Sequence, residues 1–197
     1  PPGFASNEKH MVDDATLIRR IQAGDRHAFR WLIKSHQRLV YGVVWKIVRN
    51  QADTEDVSQE VFLKVHEKLG TFNHEAKLST WIAKIAYNQA LSHLRKRDIL
   101  QHSVDVEDEA FREQITGEGT SPIEGLETKE LKKVVHQAIE QLPQPYRTLI
   151  DLFHIQEMSY AEVIEISGLP EGTVKSYLFR GRKLLKDAIS GSKHLIQ

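Results

Sequence analysis

Cysteine is absent from this 197-residue chain. That excludes disulfides, thiolate metal ligands and cysteine nucleophiles, and it suits a reducing cytosol. Net charge is also missing: 27 Lys and Arg balance 27 Asp and Glu, so no chain-wide field draws the protein to nucleic acid or to a membrane. Long apolar runs do not occur. The longest, residues 39–45, is far too short to span a bilayer, and no charged, apolar, small-residue leader opens the sequence. Glycine patterns that cradle phosphates or dinucleotides are absent, as is His-Glu-x-x-His. Ten histidines are scattered without ligand spacing. Strand alternation, internal repeats and low-complexity tracts are missing as well. These absences predict a soluble, cytoplasmic, all-α protein with no catalytic centre, metal, cofactor or small-molecule substrate of its own, and no membrane insertion.

The zero net charge hides a pattern. Residues 1–98 hold 16 basic and 11 acidic side chains, residues 99–127 hold one Arg against eight acids, and residues 128–197 hold 10 basic and eight acidic ones. Two mildly basic parts thus flank an acidic connector. Apolar residues recur at helical spacing through 15–21, 25–50, 53–69 and 79–97, and again through 128–142, 146–155, 160–167 and 171–189. Between them, 99–127 carries Gly117, Gly119, Ser121, Pro122 and Gly125 and no sustained period, which reads as a flexible linker with at most a turn near 110–115. Residues 1–10 are polar and patternless and read as a disordered or non-native lead ahead of a start at Met11. The expected organisation is two small helical domains, 11–98 and 128–190, joined by the acidic linker 99–127 and followed by a tail, 191–197.

The last helix carries the clearest functional signal. Val174, Tyr177, Leu178, Gly181, Leu184 and Leu185 fall on one side at about 100° per residue. Lys175, Ser176, Phe179, Arg180, Arg182, Lys183 and Lys186 fall on the other. Upstream stand a capping box, Ser159-Tyr160-Ala161-Glu162, a short amphipathic helix and the turn Gly168-Leu169-Pro170. Two short helices joined by a glycine-containing turn, the second basic outside, form a helix-turn-helix DNA reader. A solvated face on an ordinary bundle helix is the competing explanation of the basic face alone. In the fourth helix, Trp81, Ile82, Ile85, Leu91 and Leu94 form a buried stripe, with Trp81 favoured as core anchor over base platform. Lys84, Asn88, Arg95, Lys96 and Arg97 point outward with no nearby acid before Asp98. Such a face suits single-stranded DNA.

Several segments together resemble the bacterial sigma-70 family, in its small extracytoplasmic-function group. Asp53-Thr54-Glu55-Asp56-Val57-Ser58-Gln59-Glu60-Val61-Phe62 is similar to the family's core-polymerase-binding segment. Leu78-Ser79-Thr80-Trp81-Ile82-Ala83-Lys84-Ile85-Ala86-Tyr87-Asn88, continuing to Arg97, resembles its promoter-melting helix. Leu142-Pro143-Gln144-Pro145-Tyr146-Arg147 and the segment from Ser159-Tyr160 through Gly172-Thr173-Val174-Lys175-Ser176 resemble its C-terminal helix-turn-helix domain. The resemblance spans roughly 13–189. It implies an alternative sigma factor that docks core RNA polymerase through Asp53, Glu55, Asp56, Gln59 and Glu60. It places Asn73, His74, Lys77, Trp81, Lys84, Tyr87, Asn88, Arg95, Lys96 and Arg97 at the downstream promoter element and the melted strand, where a base is flipped into a pocket. Thr173, Lys175, Ser176, Phe179, Arg180 and Arg182 are then the readers of the upstream element, with Lys175 on a guanine and Arg182 on phosphate. Leu78 and Ala83 stand where the family often has aromatic residues. Ile164 stands where helix-turn-helix units carry a small residue, with Gly181 as the compensating gap. The partners implied are core polymerase, promoter DNA and an anti-sigma factor. The rival reading is a stand-alone helix-turn-helix regulator whose residues 13–98 sense a ligand.

Overall fold

A computed structural model describes residues 13–101 and 129–192. The expected lead, 1–10, and nearly all of the expected linker lie outside the described residues. Those residues form eight helices and no strand: α1 Asp14–Gln22, α2 Arg26–Val48, α3 Gln51–Lys68, α4 Leu78–Gln101, α5 Lys129–Gln141, α6 Gln144–Ile150, α7 Tyr160–Ser167 and α8 Glu171–Ser192. α6 runs on into a π-helical turn, Asp151–Ile155. The all-α expectation is met, with two differences at the ends. α4 continues through Gln101 rather than stopping at Arg97, and α8 reaches Ser192, into the segment read as a tail.

Short polar side chains start the helices. Asp13 accepts from Thr16 N at 2.9 Å, Asp25 from His27 N and Ala28 N, and Asn50 from Asp53 N at 3.0 Å, each satisfying donors that a first turn leaves orphaned. α1 turns into α2 through Gly24, at φ +86°, and Arg20 ties the corner by a 2.8 Å ion pair to Asp25. α2 ends on Arg49 in the left-handed region, φ 56°.

α2 is the hub of the N-terminal half. It packs against α1, α3 and α4, and Leu32, Val40, Val43, Val44 and Ile47 lie wholly inside. In the C-terminal half, α5, α6 and α7 pack on α8 around Ile139, Leu149, Ile150, Val163, Ile166, Val174 and Leu178. At about 25 cal/mol per Å² of apolar surface, such burial is the main source of stability in each half. Gly181 is buried at the α6–α8 crossing, where a Cβ would come within 2.9 Å of Ile150 Cγ1. The gap therefore admits α6; it does not accommodate Ile164 on α7, as the sequence reading had it. Leu184, placed on the inner face by the helical wheel, is 40% exposed.

The two halves touch along a polar seam. Lys46 of α2 is 7% exposed. Its ammonium donates to Glu140 of α5 and lies 3.5 Å from Asp151. Arg49 donates to the Glu140 carbonyl at 2.7 Å. The buried Arg147 donates from Nε to the Lys46 carbonyl at 2.7 Å and from Nη1 to the Leu142 carbonyl at 2.8 Å. The Lys46 carbonyl sits in the last turn of α2, where helix geometry supplies no partner, so a side chain from α6 completes that end. A second contact joins α4 to α7.

Candidate nucleic-acid interface

The helix-turn-helix is built locally, as the sequence signals indicate. Ser159 Oγ accepts from Glu162 N at 3.3 Å while Ser159 N donates to Glu162 Oε2 at 2.8 Å, a reciprocal capping box. Gly168 ends α7 at φ +68° with its N–H on the Ile164 carbonyl. A side chain there would be strained, so the turn needs glycine. Ser167 Oγ donates to the Val163 carbonyl at 2.7 Å and accepts from Leu169 N, which fixes the exit toward α8.

α8 seats Val174, Leu178 and Leu185 against the core, and the Tyr177 ring meets Tyr146 edge-on at 5.3 Å. Lys175, Lys183 and Lys186 are exposed, and Thr173, Ser176, Phe179, Arg180 and Arg182 are half-buried on the flanks. The Lys175 ammonium pairs with Glu171 one turn back at 2.7 Å. That hydrogen-bonded pair holds the Lys175 pKa above and the Glu171 pKa below their ordinary values. A base contact by Lys175 therefore begins with release from Glu171.

The loop before α4 leaves Asn73, His74 and Lys77 exposed, with His74 at φ 61° and its ring 4.6 Å from Phe72. Phe72 is buried and packs on Trp81 at 5.5 Å. Trp81 is half-buried and belongs to the apolar packing, the side of the alternative that its spacing favoured. Tyr87 is 8% exposed, and burial raises its pKa; its spacing alone did not reveal that. Leu78 and Ala83 are both fully inside, so neither presents a surface to a base. Asn88, Arg95 and Lys96 are exposed.

One expectation about this face fails. Two of the basic side chains of α4, and Lys77 just before it, do have acids beside them, supplied by distant elements. Lys77 pairs with Glu162 at 3.0 Å, Lys84 with Glu165 at 3.7 Å, and Arg97 with Asp53 at 3.6 Å. Thr80 Oγ1 also donates to Glu162 at 3.1 Å. The Glu162 carboxylate thus accepts from the Ser159 N–H first of all, then from Lys77, the Ser159 hydroxyl and Thr80, and its pKa falls to about 2. Local sequence does not disclose these partners, because the acids lie on α7, some 80 residues from α4, and at the start of α3.

On α3, Glu55, Asp56, Gln59 and Glu60 are exposed along one side, whereas Asp53 is turned toward His93 and Arg97. Beside Glu60 a groove of about 410 Å³ runs between α3 and α4, lined among others by Lys64, Gln89 and His93. Lys64 Nζ donates to Gln89 at 2.8 Å, and Gln89 Nε2 to Glu60 at 3.4 Å. Leu63 stands at its rim, 64% exposed. The sequence reading missed this leucine; its signal is an apolar residue off the buried stripe of Val57, Val61 and Val65. Among the described residues no three His or acid side chains are placed to hold a metal ion, and no helix is long and apolar enough to cross a membrane.

Comparison with known proteins places these surfaces in context. The family model described as Sigma-70 region 2 matches residues 32–99, and Sigma-70, region 4 matches 132–185. The chain is 33% identical over 180 residues to the RNA polymerase sigma-H factor of Pseudomonas aeruginosa, covering 89% of this chain and 93% of that one. It is 31% identical over 173 residues to the ECF RNA polymerase sigma factor SigW of Bacillus subtilis, covering 86% and 92%. Against the ECF RNA polymerase sigma-E factor of Escherichia coli it is 33% identical over 183 residues, covering 91% and 95%. Two solved structures share the fold. One is the sigma factor RpoE in complex with the anti-sigma factor NepR from Bartonella quintana (TM-score 0.61, 23% identity, 82% of this chain and 96% of that one). The other is CnrH in complex with the cytosolic domain of CnrY (TM-score 0.62, 20% identity, 90% and 97%).

Proposed function

The chain belongs to the sigma-70 family, in its extracytoplasmic-function group, and is an alternative sigma factor; from that premise we propose how its surfaces divide the work. The exposed acids of α3, Glu55, Asp56 and Glu60, with Gln59 and the neighbouring Leu63, dock on core RNA polymerase. Asp53 supports that surface from α4's side by holding Arg97. The loop residues Asn73, His74 and Lys77, together with Lys84, Asn88, Arg95, Lys96 and Arg97 of α4, receive the melted strand, cations on phosphates. Trp81 and Tyr87 shape this surface from within. α8 enters the major groove of the upstream element. Thr173, Lys175, Ser176, Phe179 and Arg180 face base edges, and Arg182 neutralises phosphate.

The protein itself performs no bond chemistry: phosphodiester transfer belongs to the polymerase, and the site of action is the cytoplasm, where the polymerase works. The partners are core polymerase and promoter DNA, and an anti-sigma protein is a third, by analogy with the RpoE–NepR pair. The observation that carries this division is the adjacency of an acidic, groove-bearing α3 to a cation-rich α4 in one half, with a helix-turn-helix in the other. The rival reading, a ligand-sensing regulator, has no use for that adjacency. The test is size-exclusion co-elution with core polymerase lacking any sigma. Wild type should co-elute stoichiometrically, and D56K/E60K should not, with its helical circular dichroism unchanged. Undiminished co-elution of D56K/E60K refutes the α3 assignment.

A further inference from the structure

The outward side of α2 takes no part in the surfaces assigned above. Leu32, Val40, Val43 and Ile47 turn into the core. The other side carries Arg26, Arg30, Lys34 and Arg38, all exposed. α2 holds no Asp or Glu in its 23 residues. Among the described residues none of these four cations forms an ion pair. An ordinary solvated face mixes signs, as α3 does where exposed Glu67 stands beside exposed Lys68. Two large rings share the cationic face: Trp31 is 45% exposed and Tyr41 38%. The Tyr41 ring lies parallel to Trp45, 6° apart with centroids at 6.5 Å. Next to it is a shallow depression of about 400 Å³ lined by Gln37, Arg38, Tyr41 and Gly42, and Gly42 contributes no side chain to fill it. At a rise of about 1.5 Å per residue, Arg30, Lys34 and Arg38 follow one another about 6 Å apart along the axis. Trp31 and Tyr41 stand about 15 Å apart on the same scale.

We propose that the outward face of α2 is a further binding site for single-stranded nucleic acid: Arg30, Lys34 and Arg38 follow the phosphates, Trp31 stacks one base, and a second base lies on Tyr41 in the depression beside the Gln37 amide. This goes beyond the sigma-factor reading, since it uses none of the residues assigned to core polymerase or promoter DNA. The cations alone would suit any polyanion. The rings decide between the candidates. An aromatic face is the negative side of its quadrupole, so it gains nothing from a carboxylate, whereas every base offers a π-face to it. A duplex keeps its bases paired and stacked inside, and it would leave both rings idle. A single strand alone satisfies the cations and the rings together. The platform is also ordered in advance. Both rings sit in the middle of a helix packed on three others, and Tyr41 is backed by Trp45, so little side-chain freedom is lost when a base arrives.

The test is fluorescence anisotropy of labelled oligothymidylate with the full chain, titrated at several salt concentrations. The background is K84Q/R95Q/K96Q, which silences the α4 face so that any remaining binding reports on α2. That background should still bind the strand. Adding W31A should weaken binding at least about fivefold, the low end of what one stacked base contributes. Adding R30Q/R38Q should lower the slope of log Kd against log salt by about 1.4, the share of two single-strand phosphates. All of the substituted side chains on α2 are exposed, and helical circular dichroism should not change. No binding in the background, or binding untouched by W31A, overturns the proposal. Displacement of the strand by polyglutamate as readily as by unlabelled oligothymidylate would assign the face to an acidic polypeptide and also overturn it. Co-elution of W31A and of R30Q/R38Q with core polymerase, each in the otherwise wild-type chain, reads the sigma assignment separately. Both should co-elute as wild type does, and their loss from the complex would give the face to polymerase instead.

Discussion

Replacing Lys46 by Met removes the one ammonium that faces two acids at the seam. The magnitude follows from what is left behind. Glu140 loses the hydrogen bond Lys46 donates to it, but its side chain is 27% exposed, so water takes up part of the loss, and Arg49 Nη2 stays 3.7 Å away. Asp151 is different: its side chain is 4% exposed, and its remaining partner is Gln156 Nε2 at 3.2 Å. Breaking a buried pair from one side costs about 3–5 kcal/mol. Burial already holds the Asp151 pKa above the ordinary carboxylate value, so proton uptake offers a partial escape, and the low end, about 3 kcal/mol, is expected at pH 7. For a chain of this size that corresponds to a fall in Tm of about 6–12 °C. The assay is urea denaturation followed by circular dichroism at 222 nm and by tryptophan fluorescence, to which Trp45 beside the substituted position contributes. The deficit should shrink as pH falls through the raised Asp151 pKa, because protonation removes the unpaired charge. K46M/D151N, which removes the unpaired charge at position 151, should recover most of the loss relative to K46M. A K46M chain as stable as wild type, or a D151N partner that restores nothing, refutes the argument that Asp151 depends on Lys46.

Gly181→Ala should destabilise by about 1 kcal/mol net, since overpacking against Ile150 at about 1–3 kcal/mol outweighs a helix-propensity gain near 1 kcal/mol. In a cycle with I150A the two should be favourably coupled when measured by denaturant titration, and simple additivity would contradict the close contact. Glu162 has a folded pKa lowered from 4.5 to about 2. Its stabilising contribution is therefore complete above pH 4.5 and is lost as pH falls through about 2. Acid titration of stability should show that wild type loses more between these limits than E162Q does. Parallel acid profiles would mean that the four donors around Glu162 contribute nothing.

Much of the fold was legible because its signals are local. Apolar spacing marked every helix, the Ser159–Glu162 box marked the start of α7, and Gly168 marked its end, each needing only a few residues of context. What escaped depends on contacts between distant segments. Lys84 and Arg97 read as unneutralised because their acids, Glu165 and Asp53, come from distant segments of the chain. Gly181 read as room for α7 because a helical wheel gives the face but not the neighbour, and the neighbour is Ile150 of α6. Tyr87 entered the promoter-facing set through the resemblance alone, and its ring is packed inside. Arg147, noted only as part of a resembling motif, proves to be the buried side chain that completes the end of α2. Leu63 was overlooked because a solitary exposed leucine carries no periodic signal. The acids of α3 were legible in type and place, except that Asp53 is turned to α4.

The most direct test of the central claim is multi-template transcription in vitro with core polymerase, fragmented genomic DNA and this chain as the sole added factor. The account predicts discrete transcripts whose starts share one two-part upstream and downstream sequence, and which disappear with D56K/E60K. Transcription no different from core polymerase alone, with the chain folded, would contradict it.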